Sequence, residues 1–234
     1  MAASHGLGFL RLVLLATMGR KFWILPLLPL LWLVFQGILR LLDNGSGGFL
    51  PEHAQGTLIG VPLTALAVFL GMRIIAGEIE DRSLEIAYTV PGGVQRLWFA
   101  KLAAAGALLL VSLALLAAGA LFFTTYPPSA LYGAFQPAAF YLVFSMAMGA
   151  LFRNEIAGAI ATVALLGFNG LITDFGQSPV RISPFWNPDV LKDADNAELL
   201  AWTIQNRIGI VLAIIAITSL AFMRANRRER MLGS

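Results

Sequence analysis

Six runs of apolar residues, each close to the length of a bilayer crossing, leave this chain few folds to adopt. A hydrocarbon core about 30 Å thick needs roughly 20 helical residues at about 1.5 Å each. The runs at 22–42, 57–75, 102–123, 130–152, 156–172 and 208–223 approach that length. The first four are secure by length, whereas the last two are short and must borrow flanking residues or sit where the bilayer thins. Composition agrees: 58% of the 234 residues are hydrophobic and mean hydropathy is +0.78, against about 45–50% apolar content in soluble domains. The runs recur along the whole chain and none ends in a small-residue cleavage pattern, so they read as spans of the mature protein rather than as a leader. The expected fold is all-α and integral to the membrane, with six transmembrane helices forming one domain over 1–234.

The positions of lysine and arginine orient the bundle, because positive loops near span ends are retained in the cytoplasm. With both termini inside, only Arg40, Arg181, Lys192 and Arg207 of the 16 basic residues fall outside, which leaves 16 − 4 = 12 on the cytoplasmic side. The net charge of +3 does not point to nucleic acid, since these residues flank apolar runs instead of covering one soluble face. No cysteine is present, so there is no disulfide, thiolate metal site or cysteine nucleophile. Before the first span, residues 1–21 carry Phe9, Leu10, Leu14 and Leu15 among Arg11, Arg20 and Lys21, a pattern suited to an interfacial helix. Pro26 and Pro29 are expected to kink or delay the span that follows.

Among the outer connections, 43–56 with GSGG at its centre reads as a flexible loop and 124–129 as a tight turn. The longest, 174–207, contains SPFWNP at 183–188, where breakers flank two aromatics suited to the membrane interface. Beyond it, Val190, Leu191, Leu199, Leu200 and Trp202 can form the apolar side of short external helices. A re-entrant or surface-lying element is expected here.

Chemistry-bearing motifs are scarce. No GxxxxGK[ST] occurs, so the chain cannot cradle nucleotide phosphates by the P-loop mechanism. His5 and His53 are expected on opposite sides of the membrane, and there is no HExxH or pair of acids within a span, so neither a catalytic centre nor a metal site is expected. The polar residues inside the runs, Gln36, Thr64, Ser112, Gln136, Ser145 and Asn169, are uncharged, and every acid and base lies at or outside an expected span end. This argues against an ion relay. Two small-residue stretches could let helices approach closely, GTLIG at 56–60 and AGAIATVA at 157–164.

Charge is concentrated instead in GEIEDRSLEIAYTVPGGVQRLWFAKL, residues 77–102, on the expected cytoplasmic side. Glu78, Arg82 and Glu85 fall on one helical face, so that the arginine can pair with either acid. Ile79 and Ile86 form a neighbouring stripe, and Pro91-Gly92-Gly93 stops the helix. A connector needs only a few residues; this one is far longer and reads as a docking surface.

The stretch RIIAGEIEDRSLEIAYTVPGGVQRLWFAKL, 73–102, resembles the signature between spans two and three of the type-2 permease subunits of ATP-binding cassette (ABC) transporters. The match includes the Leu84-Glu85 pair, the proline turn followed by a basic residue, and Lys101 opening span three. FMRANRRERML, 222–232, is similar to the family's basic tail, and the six-span plan agrees. Many members carry Gly-Thr where this chain has Arg82-Ser83, and a more polar pair in place of Gly92-Gly93. The resemblance implies a coupling helix within 77–101 seated in a groove of a separate ATPase subunit, through Glu78, Glu80, Asp81, Arg82, Leu84, Glu85 and Ile86. Arg153 and Glu155 of the second inner loop would make a secondary contact. Two ATPase chains carrying ATP and Mg, and a second permease copy or paralogue, would complete an exporter in a prokaryotic plasma membrane. The alternative reading from another class is a non-transporting membrane scaffold or sensor that recruits a cytoplasmic partner through the same loop.

Overall fold

The structure, a computed structural model, describes residues 15, 19–42, 49–81, 93–178, 180–191 and 195–226. All regular structure among the described residues is helical. Helix α1 (Leu30–Leu42) follows a 3-10 segment, Phe22–Leu27, that contains Pro26. Helix α2 (Val61–Glu80) continues a short turn at Pro51–His53 and a π-helical segment at Ala54–Gly60. Then come α3 (Val94–Ala120), α4 (Ser129–Phe152), α5 (Glu155–Thr173) and α6 (Asn196–Ala225). Six helices among the described residues are long and apolar enough to cross a membrane. Most of the interfacial helix expected over 1–21 lies outside the described residues, as do 43–48 of the first outer loop.

The helices run further than the apolar runs that announced them. Span two begins at Pro51 rather than 57, and Val94–Lys101 is the first part of α3 rather than a lead-in. Arg73, Glu78, Lys101 and Arg207 therefore sit within helices that continue past the expected span ends. The short external helices expected before span six are replaced by 3-10 turns at Asp174–Gly176 and Pro188–Val190, after which Asn196 opens a single helix to Ala225. No proline interrupts that stretch, so Leu199, Leu200 and Trp202 belong to α6 itself. Its 30 residues make it about 45 Å long, more than the hydrocarbon thickness, so it tilts or extends beyond it.

Helices α2 and α4 form the centre. Of the most apolar stretch of each span, 72% is buried for α2 and 56% for α4, against 17–33% for the other four. Helices α5 and α6 pack on α4, α3 on α2, and α1 with its 3-10 entry on α3. Lipid is as apolar as leucine, so helices associate here through close packing of small residues. A Cβ at Gly71 would overlap the Leu142 carbonyl, and one at Gly149 would lie 3.2 Å from Met72 O. Gly158, in the small-residue stretch of α5, would meet Gly149 N at 2.6 Å. Three backbones thus converge where α2, α4 and α5 touch, and Ser145 Oγ adds a hydrogen bond to Val68 O at 2.9 Å.

The GxxxG at 56–60 has a different use. Val61 N donates to Gly56 O, five residues back, and Pro62 then has no N–H to give. In this wider turn the two glycines meet different neighbours: Gly56 faces Phe175 O and Gly60 the Ala134 backbone. Thr57 O is free to accept from Trp32 Nε1 at 2.7 Å, which ties α1 to the segment.

Gly71→Ala is expected to cost roughly 1–3 kcal/mol through overpacking, seen as a lower thermal midpoint in detergent. Gly106→Ala, in α3 with open space around the added Cβ, is expected to leave the midpoint unchanged or raise it.

Candidate functional site

The ends of α2 and α3 that flank residues 82–92 are joined by charge. Glu78, near the end of α2, forms an ion pair with Lys101, two turns into α3. The Lys101 side chain is only 5% exposed. Arg73, one turn further into α2, places Nε 3.5 Å from Glu155 Oε1 at the start of α5. Gly77 makes room for that contact, since a Cβ there would lie 2.9 Å from Glu155 Oε1. Glu80 Oε1 accepts from Asn154 Nδ2 at 2.9 Å and from Glu155 N at 2.8 Å.

Asn154 in turn caps α5 by accepting from Ala157 N at 2.7 Å. Arg153 ends α4 in the left-handed conformation, φ 56°. From α6, Arg224 reaches back to the last carbonyls of α4, Nη2 to Leu151 O at 3.0 Å, the usual role of a cation at a helix C-terminus. All the basic residues named here lie at one end of the bundle, which is called the basic end below.

Of the residues expected to dock a partner, Glu78, Glu80 and Glu155 are thus engaged within the chain. Asp81 is the exposed C-cap of α2, its N–H bonded to Gly77 O. Arg153 is exposed and belongs to the α4–α5 turn beside Glu80. Arg82, Leu84, Glu85 and Ile86 lie outside the described residues. The structure therefore brings Glu78, Glu80, Asp81, Arg153 and Glu155 into one region, together with buried Lys101.

At the opposite, far end, the segment expected to be re-entrant or surface-lying takes part in a second arrangement, whose amide partners the sequence did not single out. Residues 183–187 of SPFWNP are buried inside the bundle rather than lying on its surface. Their backbone is satisfied by amide side chains from three spans. Gln55 Nε2, on the π segment, donates to Trp186 O at 2.9 Å. Gln136 Nε2, on α4, donates to Pro184 O at 3.1 Å and to Asn206 Oδ1 at 2.7 Å. Asn206 Nδ2, on α6, donates to Arg181 O at 2.7 Å and Ser183 O at 2.9 Å.

Ser183 Oγ donates to Asn169 Oδ1 at 3.0 Å, and Trp186 Nε1 to Thr203 Oγ1 at 3.0 Å. The chain returns to this position by a reversal in which Asp174, Phe175 and Gly176 all have positive φ. At Phe175 that conformation is disfavoured, and it is held by Phe185 stacked edge-on at 5.6 Å and by Gly170 beneath the ring. Just beyond residues 183–187, burial and, secondarily, the Glu52 carboxylate raise Asp189 above the ordinary carboxylate pKa.

No protein-family model, curated protein or solved structure matches this chain. The class that the fold itself defines is an all-helical protein with six membrane-length helices, a charged junction at one end and a buried, amide-held loop at the other.

Two outcomes test this description. Lys101→Met removes the cation that half-buried Glu78 faces and is expected to cost about 3 kcal/mol, whereas Glu78→Gln combined with Lys101→Met recovers most of the loss; thermal unfolding of all four forms gives the coupling. Asn206→Ala strips the donor from the buried Ser183 carbonyl and the part-buried Arg181 carbonyl, at roughly 1–3 kcal/mol. It is expected to expose 183–187 to chymotrypsin at Phe185 and Trp186, which resist cleavage in the unaltered protein.

Proposed function

We propose that this chain is the membrane-spanning permease subunit of an ABC exporter, energised by separate ATPase subunits that dock on residues 77–101. The observation that carries this reading is the Glu78–Lys101 pair, which joins the two helices on either side of the charged segment. A push on that segment then moves α2 and α3 together instead of bending one against the other. Helix α2 is the most buried span, and the Arg73–Glu155 and Glu80–Asn154 contacts extend the same unit to α5. The chain carries no P-loop, so the nucleotide and its Mg belong to the partner.

In this mechanism two ATPase chains close on ATP and displace the coupling segments of two permease chains, this one and a second copy or paralogue. The path between them then switches its access across a prokaryotic plasma membrane in which both termini of this chain are cytoplasmic. Asp81, Arg82 and Glu85 supply polar contacts that orient the ATPase, and Leu84 and Ile86 supply apolar anchors. Glu78, Glu80 and Glu155 act mainly by holding the segment's base, and Arg153 lies beside it. The apolar character of the spans favours a lipid-like or amphipathic substrate.

The test is recovery of ABC ATPase subunits, identified by mass spectrometry, with the tagged chain from solubilised membranes of its own host. Asp81→Lys and Glu85→Lys are each expected to lower recovery by about tenfold, a change of about 1.4 kcal/mol, while Glu198→Lys at the far end leaves it unchanged. Absence of an ABC ATPase from the unaltered complex, or recovery indifferent to both reversals, overturns the proposal; a different soluble partner lost on the same reversals favours a scaffold.

A further inference from the structure

A cleft of about 610 Å³ opens beside the buried loop, between α4 and α6 at the far end of the bundle. Its walls are polar at one end only. Arg181, Gln205 and Asn206 line that end, and the rest is formed by Phe140, Pro184, Ile210 and Ala213. From Trp202 to Ala213 the lining follows α6 for about 16 Å toward the middle of the span. This side of α6 is not covered by protein: Ile208 and Leu212 are 56% and 60% exposed, and Ile182 at the cleft mouth is 87% exposed. Such side chains belong against lipid.

The polar end presents a fixed positive charge. The Arg181 guanidinium lies 3.3 Å from the centre of the Trp202 ring, and Arg181 O accepts from Asn206 Nδ2. Among the described residues no carboxylate is within ion-pair distance of Arg181. A guanidinium stacked on an aromatic face keeps its planar fork of donors free, and that fork matches phosphate oxygens in pairs. Gly209 lines the same cleft, and a Cβ there would meet nothing within 4 Å.

We propose that this cleft holds one anionic phospholipid, its phosphate on Arg181 and Gln205 and an acyl chain along Gly209, Ile210 and Ala213. The polarity of the cleft, charged at the interface and apolar toward the bilayer centre, is that of the ligand. A zwitterionic lipid fits less well, because its cationic group is repelled by the one unneutralised charge of the site. Since the cleft is lined both by Pro184 of the amide-held loop and by Asn206, which holds it, the bound lipid also seals that loop against the bilayer. This inference is independent of any ATPase partner.

The test uses the full chain in nanodiscs of dioleoylphosphatidylcholine, with and without dioleoylphosphatidylglycerol, and native mass spectrometry of the protein released from them. The expected result is one retained phosphatidylglycerol per chain and a higher thermal midpoint with that lipid, with no such gain from free glycerol phosphate. Arg181→Gln, which keeps the backbone acceptor for Asn206, is expected to lower retention by about tenfold. Gly209→Leu puts a side chain into the cleft from a Cβ position that is clear of protein, and is expected to abolish retention while leaving the midpoint in phosphatidylcholine unchanged. Equal retention of both lipids, a gain reproduced by glycerol phosphate, or retention unaffected by the two substitutions overturns the proposal.

Discussion

Inside a bilayer a backbone N–H or C=O without a partner costs several kcal/mol, because no water is present to replace the one it lost. The far end of this bundle is organised by that constraint. SPFWNP contains two prolines and cannot form a helix that satisfies itself, yet its residues 183–187 are buried. Three amide side chains from three spans supply the missing donors, and each of them reaches a carbonyl within 181–186. The π segment belongs to the same arrangement. Its Gln55 reaches Trp186 across a space that Gly133 leaves open, since a Cβ there would overlap the Gln55 amide. Gly56 likewise admits the Phe175 carbonyl where the reversal after α5 comes close.

The basic end is organised by charge rather than by amides. Lys101 is nearly buried and would be costly to hold there alone, so Glu78 is its necessary counterpart. Arg73 and Glu155 repeat the pattern between α2 and α5, and exposed Glu80 binds the cap of α5. The result concentrates rigidity at the point where the charged segment leaves α2 and rejoins at α3. Acidity in this stretch therefore divides into two uses, one holding the junction and one, represented by Asp81, facing outward.

How legible this was depended on the range of each interaction. The six spans were evident because hydropathy is a property of contiguous residues, and α4 and α5 begin within one residue of the apolar runs. Span two was placed six residues late since Glu52, His53 and Gln55 dilute the apolar signal, although Pro51 is a favoured first helical residue. The close contact at Gly158 was anticipated from AGAIATVA, whereas the four-residue spacing of Gly56 and Gly60 lost its meaning once the turn widened to a π-helix. The amide cluster was invisible for a different reason. Gln136 and Asn169 read as isolated polar residues because their partners, a carbonyl, an amide and two hydroxyls, lie 14 to 70 residues away. Proline-flanked SPFWNP together with Gln136 and Asn169 in expected spans was the available signal, since Gln55 and Asn206 fell just outside the apolar runs. The Glu78–Lys101 pair, 23 residues apart, has no periodicity to betray it.

Helix α2 is the element that both ends share. Its continuous helical stretch from Pro51 to Glu80 carries Gln55 at the amide cluster and Glu78 at the ion pair, and between them Gly71 fixes it against α4. A close backbone contact of this kind does not deform gradually; a packed interface changes by shifting between discrete arrangements. Displacement of the junction at the basic end would therefore carry α2 as a body, and the first contacts strained at the far end would be Gln55 on Trp186 and Gly56 on Phe175. Phe175 already occupies a disfavoured conformation there, so any such displacement would fall first on the reversal that holds it.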